Sequence, residues 1–176
     1  IPAMRDTLIA ASRGEIKMLQ RQMIPHQSGN MLALMPASLL TKNVTGSKVI
    51  IFPGPKARQE NTNQGVVPLF DTETGALLAI VDAELITVVR TAATSAAATD
   101  VLARKDAASV AILGAGNQGK AHAEAMGYIR DIKTVYVWDQ FPAAVEAAEK
   151  AASAEVAKEE APKAEKKSKK SAKAEA

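Results

Sequence analysis

Cysteine is absent from these 176 residues. Its absence excludes disulfides and thiolate-bound metals and accords with a reducing cytoplasm. Histidine is scarce: His26 and His122 have no partners at ligand spacing, so no metal site is expected. No apolar run approaches the ~20 residues of a membrane span, so no membrane partner is expected either. Strong charge is also missing. A net charge of +3 and a pI near 9.1 are too mild to imply nucleic acid. The first residues, IPAMRDTLIAASRGE, include no initiating Met and no basic-then-apolar leader, so the expectation is a missing start rather than a signal peptide.

The most informative segment is VAILGAGNQG at 110–119, an apolar run that breaks into a glycine turn at Gly114, Gly116 and Gly119. Gly114 permits a tight turn out of a strand, and Gly116 lets the backbone approach a pyrophosphate. Gly119 allows the following helix to pack close, with its N-terminus facing the anion. A second apolar run, TVYVW, ends in Asp139, twenty residues beyond Gly119. An acid there can accept hydrogen bonds from a ribose diol and disfavours a 2′-phosphate. NAD is therefore the expected cofactor, with NADP the alternative. A glycine-rich connection that binds nothing is the plainer reading of the same residues.

Around this unit the periodicities predict an amphipathic helix over 3–20, extended chain around Gln22–Pro25, and strands at MLALMP and SKVIIF. A loop follows over Pro53–Gln64. GVVPLF and ALLAIVD flank DTETG as a hairpin. Glu84–Lys105 is Ala-rich and free of Pro and Gly, which suits a long helix packed closely on its neighbours. The composition then changes past Ser153. AEVAKEEAPKAEKKSKKSAKAEA has too little apolar surface to offset its ordering entropy and reads as a disordered, solubilising Lys/Ala/Glu-rich tail. A phosphate-binding arm at Lys166, Lys167, Lys169 and Lys170 is the rival, weakened by interleaved Glu.

Several strings together resemble the ornithine cyclodeaminase/μ-crystallin family. They are R-x-x-x-P at Arg21–Pro25, LALMPA at 32–37, TKNV at 41–44, VVPLFDTETGALLAIVDAELIT at 66–87, RTAATSAAAT at 90–99, LARKDA at 102–107 and the glycine loop. The resemblance covers about Ile1 to Ala152. It implies an α/β fold: an N-terminal α+β substrate and dimerisation domain (1–106), a truncated Rossmann-type βαβ unit (107–152) and the tail (153–176). It implies NAD(P)-dependent chemistry on a small amino acid or cyclic imino acid, either cyclodeamination of ornithine to proline or alanine dehydrogenase or ketimine reductase activity. A non-catalytic, crystallin-like binding protein is the alternative, and association of like copies is also implied.

By the same resemblance, Arg21, Lys42 and Arg90 form the substrate site, with Lys42 the catalytic cation. An arginine fork suits an α-carboxylate, and a lysine supplies a compact charge. Met35 and Pro36 would line the pocket. Thr91, Gly114, Gly116, Asn117, Gln118, Gly119 and Asp139 would hold the cofactor. Ala83 stands where the family usually has Gly. The proton-handling Asp of the family falls in a second half with no counterpart after Ser153, and Asp71, Asp82 and Asp131 are not assigned to that role.

Overall fold

The computed structural model describes residues 1–57 and 63–159. Helix α1 (Pro2–Ser12) opens on a proline in its first turn, where a missing N–H costs nothing. It ends sooner than the periodicity predicts. Gly14 takes φ +74°, its N–H bonds the Ala11 carbonyl at 3.1 Å, and the Glu15 N–H reaches back to Ala10 at 3.0 Å. This left-handed glycine cap closes the helix, and Ile16–Met18 become strand β1. The expected helix over 3–20 is therefore a helix followed by a strand.

A six-stranded antiparallel sheet follows, with β2 (Gln22–Pro25), β3 (Met31–Leu39), β4 (Val44–Phe52), β5 (Gln64–Asp71) and β6 (Leu77–Asp82). β1 and β2 share one edge of β3, pairing its two halves: Lys17 lies opposite Ser38 and Met23 opposite Ala33. A 3-10 turn, Leu40–Lys42, joins β3 to β4. The hairpin between β5 and β6 turns on Asp71, whose Oδ1 accepts the N–H groups of Glu73 and Thr74 and the Thr74 hydroxyl. Part of the loop expected over Pro53–Gln64 lies at 58–62, outside the described residues, and Gln64 already belongs to β5.

Helix α2 (Ala83–Leu102) is the central strut. Asp82 caps it, accepting the Leu85 N–H at 2.6 Å, and Ala83 begins it, fully buried, so no separate turn forms at that position. Its alanines let two neighbours come close. Ala83 packs with Ala33 and Ile50 of the sheet, while Ala92 and Ala96 pack with Ala125 and Met126 of the next helix. By length and mean hydropathy of 1.2, α2 is apolar enough to cross a membrane, contrary to the sequence expectation. Small alanine side chains raise its hydropathy without forming a run of large apolar residues. Only its small side chains are buried, Ala83 against the sheet and Ala92 and Ala96 against the next helix, while Leu85, Val89, Val101 and Leu102 stay exposed.

The remainder is β7 (Ser109–Leu113), α3 (Asn117–Gly127), β8 (Thr134–Trp138) and α4 (Pro142–Glu159). β7 and β8 pair in parallel, with Leu113 opposite Trp138, so Gly114 and Asp139 emerge side by side. α4 continues through 153–159, the start of the expected tail, whereas 160–176 lie outside the described residues.

Candidate functional site

The glycine loop has the shape its spacing predicts. Gly114 takes φ +110°, a conformation that L side chains avoid, and its N–H bonds the Trp138 carbonyl at 2.7 Å. A Cβ on Gly119 would fall onto the Gly114 carbonyl oxygen, so only glycine lets α3 pack this close. A Cβ on Gly116 would meet nothing within 4 Å, which leaves open space beside the backbone. Gly116 is also the N-cap of α3 and offers no side-chain bond, so the N–H groups of Asn117, Gln118 and Gly119 keep their capacity to donate to an anion.

Asp139 braces the loop. Its carboxylate accepts the Ala115 N–H at 2.8 Å and the Phe141 N–H at 2.9 Å. Those bonds, Ala115 first, hold the carboxyl below its ordinary range. Each oxygen retains a lone pair for a ribose hydroxyl. These features fit a dinucleotide: a cradle that side chains would fill, a free helix N-terminus and an ionised acid at the strand end. Thr91 is differently engaged, since its hydroxyl proton goes to the Thr87 carbonyl at 2.6 Å rather than to the loop.

The substrate-site cations divide. Arg21, just before β2, and Arg90, on α2, both lie near Lys48 of β4, and none of the three has an acidic partner among the described residues. Burial, then the charges of Arg90 and Arg21, push the Lys48 ammonium below its ordinary pKa. Lys48 Nζ donates to the Thr87 hydroxyl at 3.2 Å. It lies opposite Met35 in the β3–β4 ladder, and Pro36 lies opposite Ser47. Lys42 is elsewhere, exposed in the 3-10 turn. Val44 and Lys48 alone are separated by about 13 Å of strand. Lys48 went unnoticed in the sequence, yet a signal was there: it shares a face of β4 with Ile50 and Phe52, a row otherwise turned toward the core.

The two halves of the site meet on α2. Gln118 Nε2 lies 3.5 Å from the Thr87 carbonyl, and Gln118 Oε1 is buried with no partner among the described residues. His122 ties α3 to α2. Its Nδ1 is 2.7 Å from the Gln118 carbonyl, which only accepts, so Nδ1 carries a proton, and Nε2 faces Ser95 Oγ at 2.9 Å. The acids left unassigned have structural duties: Asp71 forms a turn, Asp82 caps α2 and Asp131 pairs with Lys133 at 2.7 Å. Among the described residues no three His, Cys, Asp or Glu gather as a metal site.

A parallel βαβ unit with a glycine cradle, set across one helix from Lys48 and the charges of Arg21 and Arg90, defines a nucleotide-fold protein. The chain belongs to the ornithine cyclodeaminase/mu-crystallin family, whose profile matches residues 1–172, twenty positions beyond the expected limit of resemblance. It is 36% identical over 112 residues to a Delta(1)-pyrroline-2-carboxylate reductase of Bacillus cereus, covering 63% of this chain and 34% of that protein. It is 37% identical over 123 residues to mouse ketimine reductase mu-crystallin, covering 69% and 38%. Among solved structures, it resembles the Thermococcus litoralis Delta(1)-pyrroline-2-carboxylate reductase in complex with NADH and L-proline. The TM-score is 0.80 at 26% identity, over 89% of this chain and 49% of that one. An archaeal alanine dehydrogenase dimer with bound NAD gives 0.78 at 25% identity, over 88% and 48%. The chain thus spans about half the length of these solved relatives and less of the curated ones.

Proposed function

We propose that this chain carries the carboxylate-binding face and the dinucleotide loop of an NAD(P)-dependent oxidoreductase acting on a small amino acid or its cyclic imine. Residues 1–106 would serve substrate and subunit pairing, and 107–152 the nucleotide. The observation that carries the reading is the gathering of Arg21, Lys48 and Arg90 with no acid among them, next to a free glycine-loop helix end. Lys48 is half-buried with no acid to pair it, and the exposed Arg21 and Arg90 add positive charge that an anion would complete.

In this reading the guanidinium groups of Arg21 and Arg90 hold the substrate α-carboxylate. Lys48, rather than Lys42, sets its ammonium against the carboxylate or the imine nitrogen, and its lowered pKa eases release of a proton from Nζ. Gly114, Gly116, Asn117, Gln118, Gly119 and Asp139 would hold the cofactor, which would supply the hydride chemistry for the bound substrate. Asp139 favours NAD over NADP. Reduction of a cyclic imino acid such as Δ1-pyrroline-2-carboxylate, oxidation of alanine and cyclodeamination of ornithine share these requirements.

The test is NADH absorbance with Δ1-pyrroline-2-carboxylate, alanine and ornithine in turn, using the wild type and Arg90→Ala. Turnover with one of them, lost in the variant, is expected. A second reading, binding without turnover, is favoured by the engagement of Asp71, Asp82 and Asp131 in turns, caps and ion pairs. Tight L-proline binding with no turnover would select it. Neither binding nor turnover would overturn both readings.

A further inference from the structure

Thr87 stands where the cation cluster and the nucleotide loop come together. Its hydroxyl donates to the Ala83 carbonyl at 2.6 Å, one turn earlier in α2, which fixes the direction of the remaining oxygen lone pairs. Lys48 Nζ donates to that oxygen at 3.2 Å. The Thr87 carbonyl accepts the Thr91 hydroxyl and faces Gln118 Nε2 of α3. One residue therefore touches the sheet that carries Lys48 and the helix that leads out of the glycine loop.

The choice of a hydroxyl has a physical reason. A lysine ammonium is a point charge on a flexible stem, and here Arg21 and Arg90 repel it. A carboxylate would hold it in place but neutralise the charge that a substrate anion needs. A hydroxyl locked by the helix backbone fixes the ammonium and leaves its charge intact. We propose that Thr87 is the positioning residue of the anion site, aiming Lys48 at the carboxylate shared with Arg21 and Arg90 and tying that geometry to Gln118 at the start of α3. The identity of the anion rests on the proposed function; the orientation of Lys48 does not.

Thr87→Val removes the hydroxyl at nearly constant volume, and Thr87→Ser keeps it. Two measurements separate positioning from packing: L-proline affinity by calorimetry with NADH present, and titration of Lys48 by the NMR shift of its 13C-labelled ε-carbon. Arg90 from α2 and Arg21 from the segment before β2 face Lys48 in every variant. In Thr87→Val, L-proline should bind about three- to tenfold more weakly, and Lys48 should lose its proton at lower pH because its charged form has lost an acceptor. Thr87→Ser should restore both. A merely structural role would lower the melting temperature while leaving the Lys48 titration unmoved, and that result overturns the proposal. Should Thr87→Val fail to fold, Thr87→Ala removes the same hydroxyl with better helix propensity. A shifted Lys48 titration in a protein that binds no L-proline would sustain the positioning role and defeat the proposed substrate class.

Discussion

Arg90 is exposed on α2 and its side chain has no hydrogen-bond or ion-pair partner among the described residues, so its truncation should leave the fold intact. If it holds a carboxylate, Arg90→Ala should weaken L-proline binding by ~1.5–3 kcal/mol, roughly ten- to 150-fold, in calorimetry with NADH present. An unchanged circular dichroism spectrum would assign the loss to the site. Lys48 behaves oppositely. Its folded pKa lies below the ordinary lysine value, so the unfolded chain binds more protons and stability from this group rises as pH climbs through the folded value. At neutral pH the charged Lys48 works against folding, and Lys48→Met should raise stability by ~1 kcal/mol or less in urea titration while abolishing carboxylate binding. A variant that is both less stable and still binding would contradict the assignment. The sequence led to Lys42 because the string around it matches the family. The proposed function takes Lys48 instead, because the strand register puts it opposite Met35 and within reach of α2.

At the scale of elements, α2 depends on how its C-terminal end is closed. Arg130, only 5% exposed in its side chain, donates to the carbonyls of Thr99, Asp100, Ala103 and Arg104 and to the Asp100 carboxylate at 2.7 Å. Arg5 of α1 and Lys105 join the same carboxylate, so one aspartate links α1, α2 and the α3–β8 connection. Arg130→Met leaves those carbonyls without a donor and should cost ~3 kcal/mol, read as a lower urea midpoint. The hydrogen bonds from Arg130, then Arg5 and Lys105, hold the Asp100 carboxyl far below its ordinary range. A depressed folded pKa adds stability that is present above the unfolded value near 4 and is lost progressively as pH falls below it. Asp100→Asn should therefore flatten the acid limb of a stability–pH curve measured by thermal melts between pH 2 and about 5. An unchanged limb would assign acid sensitivity to other groups. Most elements were legible from local pattern: the Asp71 hairpin, the alanine helix and the glycine loop all follow from short-range chemistry. α1 was overextended because helical spacing continued through Gly14, and only its left-handed cap and the pairing of Ile16–Met18 with β3 decide for a strand.

For the whole molecule, the decisive geometry is that the cation cluster and the glycine-loop helix both lean on one helix. The cation cluster reaches α2 through Thr87 and Arg90, and the glycine-loop helix reaches it through Gln118 and through His122 on Ser95. Sequence pattern could locate each half of the site but not their junction, because Thr87 and Gln118 are 31 residues apart and meet only when α3 packs on α2. The packing that joins them rests on small residues, Ala92 and Ala96 against Ala125 and Met126, while Leu113, Tyr136 and Trp138 of the two-stranded sheet remain largely exposed. A ligand bound to the loop should stiffen the α2–α3 contact on which the cation cluster also leans. NADH binding should therefore raise the affinity for L-proline, and L-proline should raise the affinity for NADH by the same factor, since coupling free energies are reciprocal. A factor of about five or more is the expected size, and calorimetric titrations of each ligand with and without the other would measure it. His122→Ala removes one tie between α3 and α2 without touching Arg21, Lys48, Arg90 or the glycine turn, so it should reduce the coupling factor more than either single-ligand affinity. Equal factors that fall together in this variant would establish α2 as the element through which the two sites communicate. A coupling factor of one in the wild type would mean that the sites are adjacent in space but energetically independent.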